Sequence, residues 1–258
     1  MIIPGLCSVT FRPMKPLDIC KLSQQAGLKS IEWGGDVHVT NEQEAREVAK
    51  MSADYGLDPA SYGSYYRAGM GKQDEFVKTL DCALALGARN VRVWAGTKGS
   101  NEMTGMERAA VVRELRECGE LAMAAGITLS LEMHGHTLTD TNESTGRLIT
   151  ELGPCNVHMY WQPRWDRTHD ETIGALMIAM QRLTNLHVFT WQFHGSDVTR
   201  LPMADGRDLL TEALHLSMQD GNDHHAFMEF VEDGSEEAFL RDAKVLHEMI
   251  AEAEDRKS

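Results

Sequence analysis

Thr128-Leu129-Ser130-Leu131-Glu132-Met133-His134 begins as a short apolar strand and closes on a carboxylate and an imidazole. A second apolar run late in the chain, Ala226-Phe227-Met228-Glu229-Phe230, also ends on a carboxylate. An ionised carboxylate loses several kcal/mol of hydration when it leaves water, so an acid in such a run needs a partner or a task. A salt bridge would answer for either glutamate alone. Two in matched contexts, far apart in the chain, point to one shared polar site at the mouth of a barrel.

Working outward from these runs, further apolar segments read as strands at 6–10, 30–33, 59–62, 90–94, 156–160 and 185–189, beside 128–132 and 226–230. Amphipathic segments alternate with them at 16–25, 42–55, 72–86, 106–125, 143–151, 170–182, 209–217 and 236–254. Thr40 followed by Gln43 reads as a capping box. Gly87 and Gly126 stand where a left-handed residue stops a helix. In the last helix Ala238, Leu240, Ala243, Leu246 and Ile250 form one apolar stripe. Eight strand–helix units in 258 residues predict a single (β/α)8 TIM barrel spanning 1–258. A doubly wound open sheet fits less well, since no GxGxxG or Walker A motif follows a strand.

Composition narrows the function classes. Twenty-five basic against 39 acidic residues give a formal charge of −14, which repels nucleic acid. Five scattered cysteines without a CxxC pair read as reduced thiols. No window holds the ~18 apolar residues a membrane helix needs, and no signal peptide is visible, so cytoplasmic residence is the expectation. The expected partner is a small polyol or sugar, with neither nucleic acid nor membrane; the sequence leaves the oligomeric state open.

Barrel chemistry gathers at the C-terminal ends of the strands. Glu132, His187 and Glu229 stand there as oxygen and nitrogen ligands, and Gln162 offers an amide oxygen. That set suits a divalent ion such as Mn²⁺, Mg²⁺, Co²⁺ or Zn²⁺; no cysteine is read at a comparable strand end. Such an ion across a carbonyl and its neighbouring hydroxyl acidifies the C–H between them. Glu132 and Glu229 could then exchange that proton, on opposite faces for an epimerase or on one face for an aldose–ketose isomerase. Trp33, Tyr62, Tyr65, Tyr66, Trp94, Trp161 and Trp191 offer stacking faces to a sugar. Glu32, His38, Arg92, His134 and His194 complete the expected substrate contacts. Gly195-Ser196-Asp197 reads as a loop.

These strand-end residues carry a family resemblance. Ile31-Glu32-Trp33-Gly34-Gly35-Asp36-Val37-His38, Tyr62-Gly63-Ser64-Tyr65-Tyr66, Val91-Arg92-Val93-Trp94-Ala95-Gly96, Leu131-Glu132-Met133-His134, Tyr160-Trp161-Gln162-Pro163, Leu186-His187-Val188-Phe189 and Phe227-Met228-Glu229-Phe230-Val231 resemble the xylose isomerase-like TIM barrels. This sugar phosphate isomerase/epimerase superfamily includes ketose 3-epimerases and relatives of endonuclease IV. The resemblance implies a metal held by a glutamate, an aspartate, a histidine and a glutamate on strands five to eight, which fall on Glu132, Gln162, His187 and Glu229. Gln162 departs from the usual aspartate and removes one negative charge from the set. The three-zinc pattern of the DNA-repair relatives does not map onto His38, His134, His136 and His194. Three readings stay open: a metal-dependent sugar isomerase or epimerase, a metal-assisted dehydratase on a keto-inositol-like substrate, and a sugar-binding barrel without turnover.

Overall fold

The structure, a computed structural model, describes residues 1–195 and 197–256. Strands β1 (Ile2–Cys7), β2 (Ser30–Gly34), β3 (Asp58–Arg67), β4 (Asn90–Trp94), β5 (Thr128–Glu132), β6 (Val157–Trp161), β7 (Leu183–Val188) and β10 (His224–Met228) pair in parallel and close on one another in that order. Around them lie α1 (Pro16–Gln25), α2 (Glu42–Asp54), α3 (Gln73–Leu86), α4 (Gly105–Ala124), α5 (Asn142–Leu152), α6 (His169–Ala179), α7 (Arg207–Ser217) and α8 (Glu236–Asp255). The expected (β/α)8 barrel is therefore the fold. No helix among the described residues is long and apolar enough to cross a membrane.

Local chemistry explains most element ends. Thr104 and Thr168 form full capping boxes with Glu107 and Glu171. At α2 the cap falls one residue later than expected: Asn41 accepts from Gln43 and Glu44, while Thr40 donates to Glu44. Gly87 closes α3 in the left-handed region, as its position predicts. On α8 Phe239 is fully buried where Leu240 was expected, and Leu240 packs only partly against the core.

Two departures matter for function. The first strand runs 2–7 rather than 6–10, because Ile2–Leu6 pair with His224–Met228 of β10, and residues 8–11 coil into a short 3-10 turn. Pro4-Gly5 looks like a strand breaker, yet a Cβ at Gly5 would lie 2.5 Å from Ser30 Oγ and 2.7 Å from the Phe227 ring. Only glycine fits. The shift places Cys7 at the C-terminal end of β1. The second departure is an antiparallel hairpin after β7, formed by β8 (Thr190–His194) and β9 (Asp197–Leu201), so that Asp197 of the expected Gly195-Ser196-Asp197 loop opens a strand. Ser196, within that expected loop, lies outside the described residues.

The interior layer below the mouth is polar rather than branched apolar. Tyr160 Oη donates to Ser61 Oγ at 2.8 Å and accepts from Asn185 at 2.7 Å, and Asn90 lies within hydrogen-bond distance of Ser61, Tyr160 and Ser130. Every polar side chain there has a partner, as burial demands.

Candidate active site

Arg92, in the middle of β4, crosses the barrel floor and ties two strand-end acids together. Its Nε lies 3.0 Å from Glu32 Oε1, and its Nη1 pairs with Glu132 Oε2. Trp94 Nε1 donates to the same Glu132 oxygen at 2.5 Å. Glu32 also accepts from Ser61 at 3.0 Å and from the Cys7 thiol at 3.4 Å. Gly63 backs directly onto this pair: a Cβ would sit 2.9 Å from Glu32 Oε1 and 3.0 Å from Arg92 Nη2.

His187 is the hub. Its Nε2 meets Glu32 Oε1 at 3.1 Å, while Nδ1 lies 3.2 Å from Glu229 Oε2 and 3.8 Å from Glu132 Oε1. Gln162 Oε1 stands 3.4 Å from Nδ1, and its amide nitrogen is fixed by donation to Met133 O at 2.7 Å. The amide oxygen thus faces inward. Ligand atoms of Glu132, His187 and Glu229 all lie within 4.8 Å of one another, and all three residues are buried. Bond lengths of about 2.0–2.2 Å put the ligands of one ion roughly 3 to 4.3 Å apart. His187 Nδ1 lies within that span of Glu132, Gln162 and Glu229, and a carboxylate behind the histidine is the arrangement that orients a ligating imidazole.

The charges are set by their neighbours. Burial alone would raise Glu32, but Arg92 and then His187 outweigh it and hold its carboxyl well below the ordinary range. Glu132 is likewise held down by Arg92 and His187 against the effect of burial. For His187 burial favours the neutral ring, yet Glu229 and Glu32 raise it well above its usual value. Burial, aided by Glu32, pushes Cys7 up to about 12, so it sits here as a thiol donor.

Not every expected contact reaches this mouth. Trp33 and Trp161 point outward into the helical shell, donating to Ser52 Oγ at 3.2 Å and Thr172 O at 3.1 Å. Tyr62 points the same way and donates to Val39 O at 3.0 Å; Tyr66 donates to Glu114 on α4. His38 is buried against Ser8 Oγ at 2.9 Å. Glu32 lies beneath the mouth, braced by Arg92 and His187, and His194 ends β8 without lining the cavity. For the strand aromatics the cause is shared: side chains alternate along a strand, so with Glu32, Ser61 and Tyr160 inside, Trp33, Tyr62 and Trp161 face out. Exchanging Trp33 or Trp161, both fully buried, for Phe is expected to cost about 2–4 kcal/mol in thermal unfolding, from the cavity and the lost hydrogen bond together, with KM unchanged.

The mouth itself is a cavity of about 540 Å³ that Arg92, Trp94, Glu132, His134, Gln162, Trp191 and Glu229 all reach. Sequence reading missed several of its walls. Arg12 arrives with Asp36 and Tyr65 as partners, and Trp165, Phe189, Phe193 and Phe230 add aromatic surface. Phe230 follows Glu229 directly and Trp165 lies three residues after Gln162; proximity was the available signal. Cys7 carried none, because its strand was misplaced. Arg207, at the start of α7, pairs with Glu248 and Glu252 on α8 and does not line the cavity.

The molecule is an eight-stranded parallel TIM barrel with a buried acid–histidine cluster toward the C-terminal ends of its strands. Residues 20–242 match the family model described as xylose isomerase-like TIM barrel, and the chain belongs to that family. The 3-dehydroshikimate dehydratase of Bacillus anthracis is 29% identical over 169 residues. The match spans 59% of this chain and 59% of that protein's length. The crystal structure of a probable 3-DHS dehydratase from Bacillus anthracis superposes with a TM-score of 0.79 at 18% identity, covering 96% of this chain and 99% of that one. A D-psicose 3-epimerase from Clostridium cellulolyticum H10, solved with D-tagatose, gives 0.66 at 13% identity, covering 98% and 97%. At such identities the two structures establish likeness of fold.

Proposed function

We propose that this barrel is an enzyme that moves a proton on the carbon beside a carbonyl, acting as an isomerase or epimerase on a small sugar, sugar phosphate or cyclic polyol ketone. The observation that carries the reading is the convergence of Glu132, His187 and Glu229 within 4.8 Å, with Glu132 and Glu229 lining the mouth cavity and His187 buried beneath it. Glu132, Gln162, His187 and Glu229 would hold a divalent ion such as Mn²⁺, Mg²⁺, Co²⁺ or Zn²⁺. Held by these residues, such an ion would supply Lewis acidity to polarise a substrate carbonyl and acidify the adjacent C–H.

The remaining work belongs to side chains. Arg92 and Trp94 fix Glu132 through one oxygen and leave Oε1 turned toward His187. Glu32 holds the His187 ring so that Nδ1 faces the same point. One glutamate takes the substrate proton. Return by the other glutamate to the opposite face inverts the centre; return by the same group to the neighbouring carbon isomerises it. Trp94 and Trp191 line the cavity and limit water there. Incubation in D₂O with Mg²⁺ and candidate ketones, read by mass spectrometry, should show deuterium entering the α-carbon. Binding without incorporation would leave only a sugar-binding barrel.

A second reading is favoured by the 29% identity to a dehydratase. The same proton removal followed by loss of a β-hydroxyl gives an unsaturated product, and His134 lines the cavity where it could protonate the departing oxygen. Ultraviolet absorbance of a conjugated product separates the two outcomes. The metal set makes its own prediction. Gln162→Asp restores a negative ligand, and calorimetric titration should show Mg²⁺ or Mn²⁺ binding about tenfold tighter at neutral pH.

A further inference from the structure

Cys7, Glu32 and His187 meet on the side of the histidine turned away from the mouth. Cys7 and Glu32 are paired neighbours in the β1–β2 register, so their side chains leave the same face of the sheet. His187 reaches them from β7. All three residues are fully buried. Two donors converge there on a single atom: the Cys7 thiol lies 3.4 Å and His187 Nε2 3.1 Å from Glu32 Oε1. Arg92 Nε approaches the same oxygen at 3.0 Å. Three donors thus crowd an oxygen with two lone pairs, while Glu32 Oε2 is left to Ser61. Sulfur, nitrogen and oxygen ligands of one tetrahedral ion, at bond lengths of about 2.0–2.3 Å, stand roughly 3.1–3.6 Å apart. Both contacts on Glu32 fall in that range, and the three ligand atoms all lie within 4.8 Å of one another.

We propose that Cys7, Glu32 and His187 form a separate site for a thiophilic divalent ion such as Zn²⁺ or Cd²⁺, bound through Cys7 Sγ, Glu32 Oε1 and His187 Nε2. The ion takes the place of the thiol proton, which passes to solvent, and of the Nε2 hydrogen, leaving the ring's one hydrogen on Nδ1. Glu32 Oε1 then serves the ion and Arg92, one for each lone pair. Sulfur selects the ion: a thiolate favours soft metals, whereas the oxygens of Glu132, Gln162 and Glu229 on the other side favour hard ones. The ring couples the two sides. A neutral imidazole has one free lone pair, so an ion on Nε2 turns Nδ1 into a donor toward Glu229 and excludes a second ion there. That exclusion rests on the metal centre proposed above; the sulfur site does not.

The probe is Cd²⁺ titrated into the full chain, read by the ultraviolet charge-transfer band of a cadmium–thiolate bond. A single equivalent should raise the band. Cys7→Ser should abolish it and weaken Cd²⁺ by at least the roughly 10–100-fold that an outer-shell partner is worth. In crystals of the unaltered protein grown with Cd²⁺, an anomalous peak should lie between Cys7, Glu32 and His187, a result independent of how the variant folds. No band, a band that survives Cys7→Ser, or a peak only elsewhere would overturn the site. Paramagnetic resonance of Mn²⁺ reads the coupling: an equivalent of Cd²⁺ should release Mn²⁺ from wild type and much less from Cys7→Ser. Equal release from both, or Mn²⁺ that stays bound beside Cd²⁺, would overturn the exclusion. A wild-type chain that takes up no Mn²⁺ would remove the centre at the mouth, and the cadmium band would still decide the sulfur site.

Discussion

With Glu229 exchanged for Gln, deuterium incorporation at the substrate α-carbon should fall about 10²–10⁴-fold, the usual worth of a positioned general base or acid. The amide keeps the shape of the side chain and an oxygen for the contact with His187 Nδ1, 3.2 Å away in the native protein. It cannot carry a proton. Glu229→Gln is a cleaner probe than the matching change at Glu132, whose Oε2 faces both Arg92 and Trp94. An amide nitrogen turned toward that guanidinium would disturb the whole floor. Circular dichroism and thermal melting close to wild type, with incorporation lost, are the expected pair of results. Full incorporation in the variant would remove Glu229 from the proton path.

Arg92→Leu should be the most destabilising single change at the site. It strands Glu32 and Glu132, both buried, without their shared cation. Removing one partner of a buried ion pair costs about 3–5 kcal/mol, and at roughly 2–4 °C per kcal/mol in a chain of this size the melting temperature should drop by roughly 10 °C. The pH dependence has a definite sign. Glu32 and Glu132 are held below their ordinary value of 4.5, so their share of stability is present above that value and is lost as pH falls through the lowered one. His187 is raised above its ordinary 6.5, so its share is fully present below 6.5 and is lost as pH rises through the raised value. Both shares are in force between pH 4.5 and 6.5. Without Arg92, burial acts on the two carboxylates with far less opposition and moves them upward. The gap between wild type and variant in denaturant melts should therefore be widest near pH 6 and narrow below pH 4.5. An equal gap at pH 3 and pH 6 would contradict the electrostatic origin.

How much of this the sequence revealed follows from what each residue had to explain. Charged side chains inside apolar runs could be found because burial leaves them few options: Arg92, Glu132, His187 and Glu229 all proved to share one cluster. The tryptophans and tyrosines were harder, since an aromatic is equally at home in the mouth or under a helix. Strand alternation held the missing information. Once Glu32 is placed inside, Trp33 must face α2, and the same step sends Trp161 to α6. The β8–β9 hairpin escaped because seven of its ten residues are exposed and no core pattern marks it. Cys7 escaped because Pro4-Gly5 masks a strand whose register is dictated by β10, more than two hundred residues away. Contacts of that range leave no local trace.

The most direct measurement is anomalous diffraction at the manganese edge from crystals grown with Mn²⁺. One peak is expected about 2.0–2.3 Å from Glu132 Oε1, His187 Nδ1 and Glu229 Oε2, with the Gln162 amide oxygen alongside. No peak there, or a peak on the far side of His187 between Cys7 and Glu32, would contradict the proposed centre.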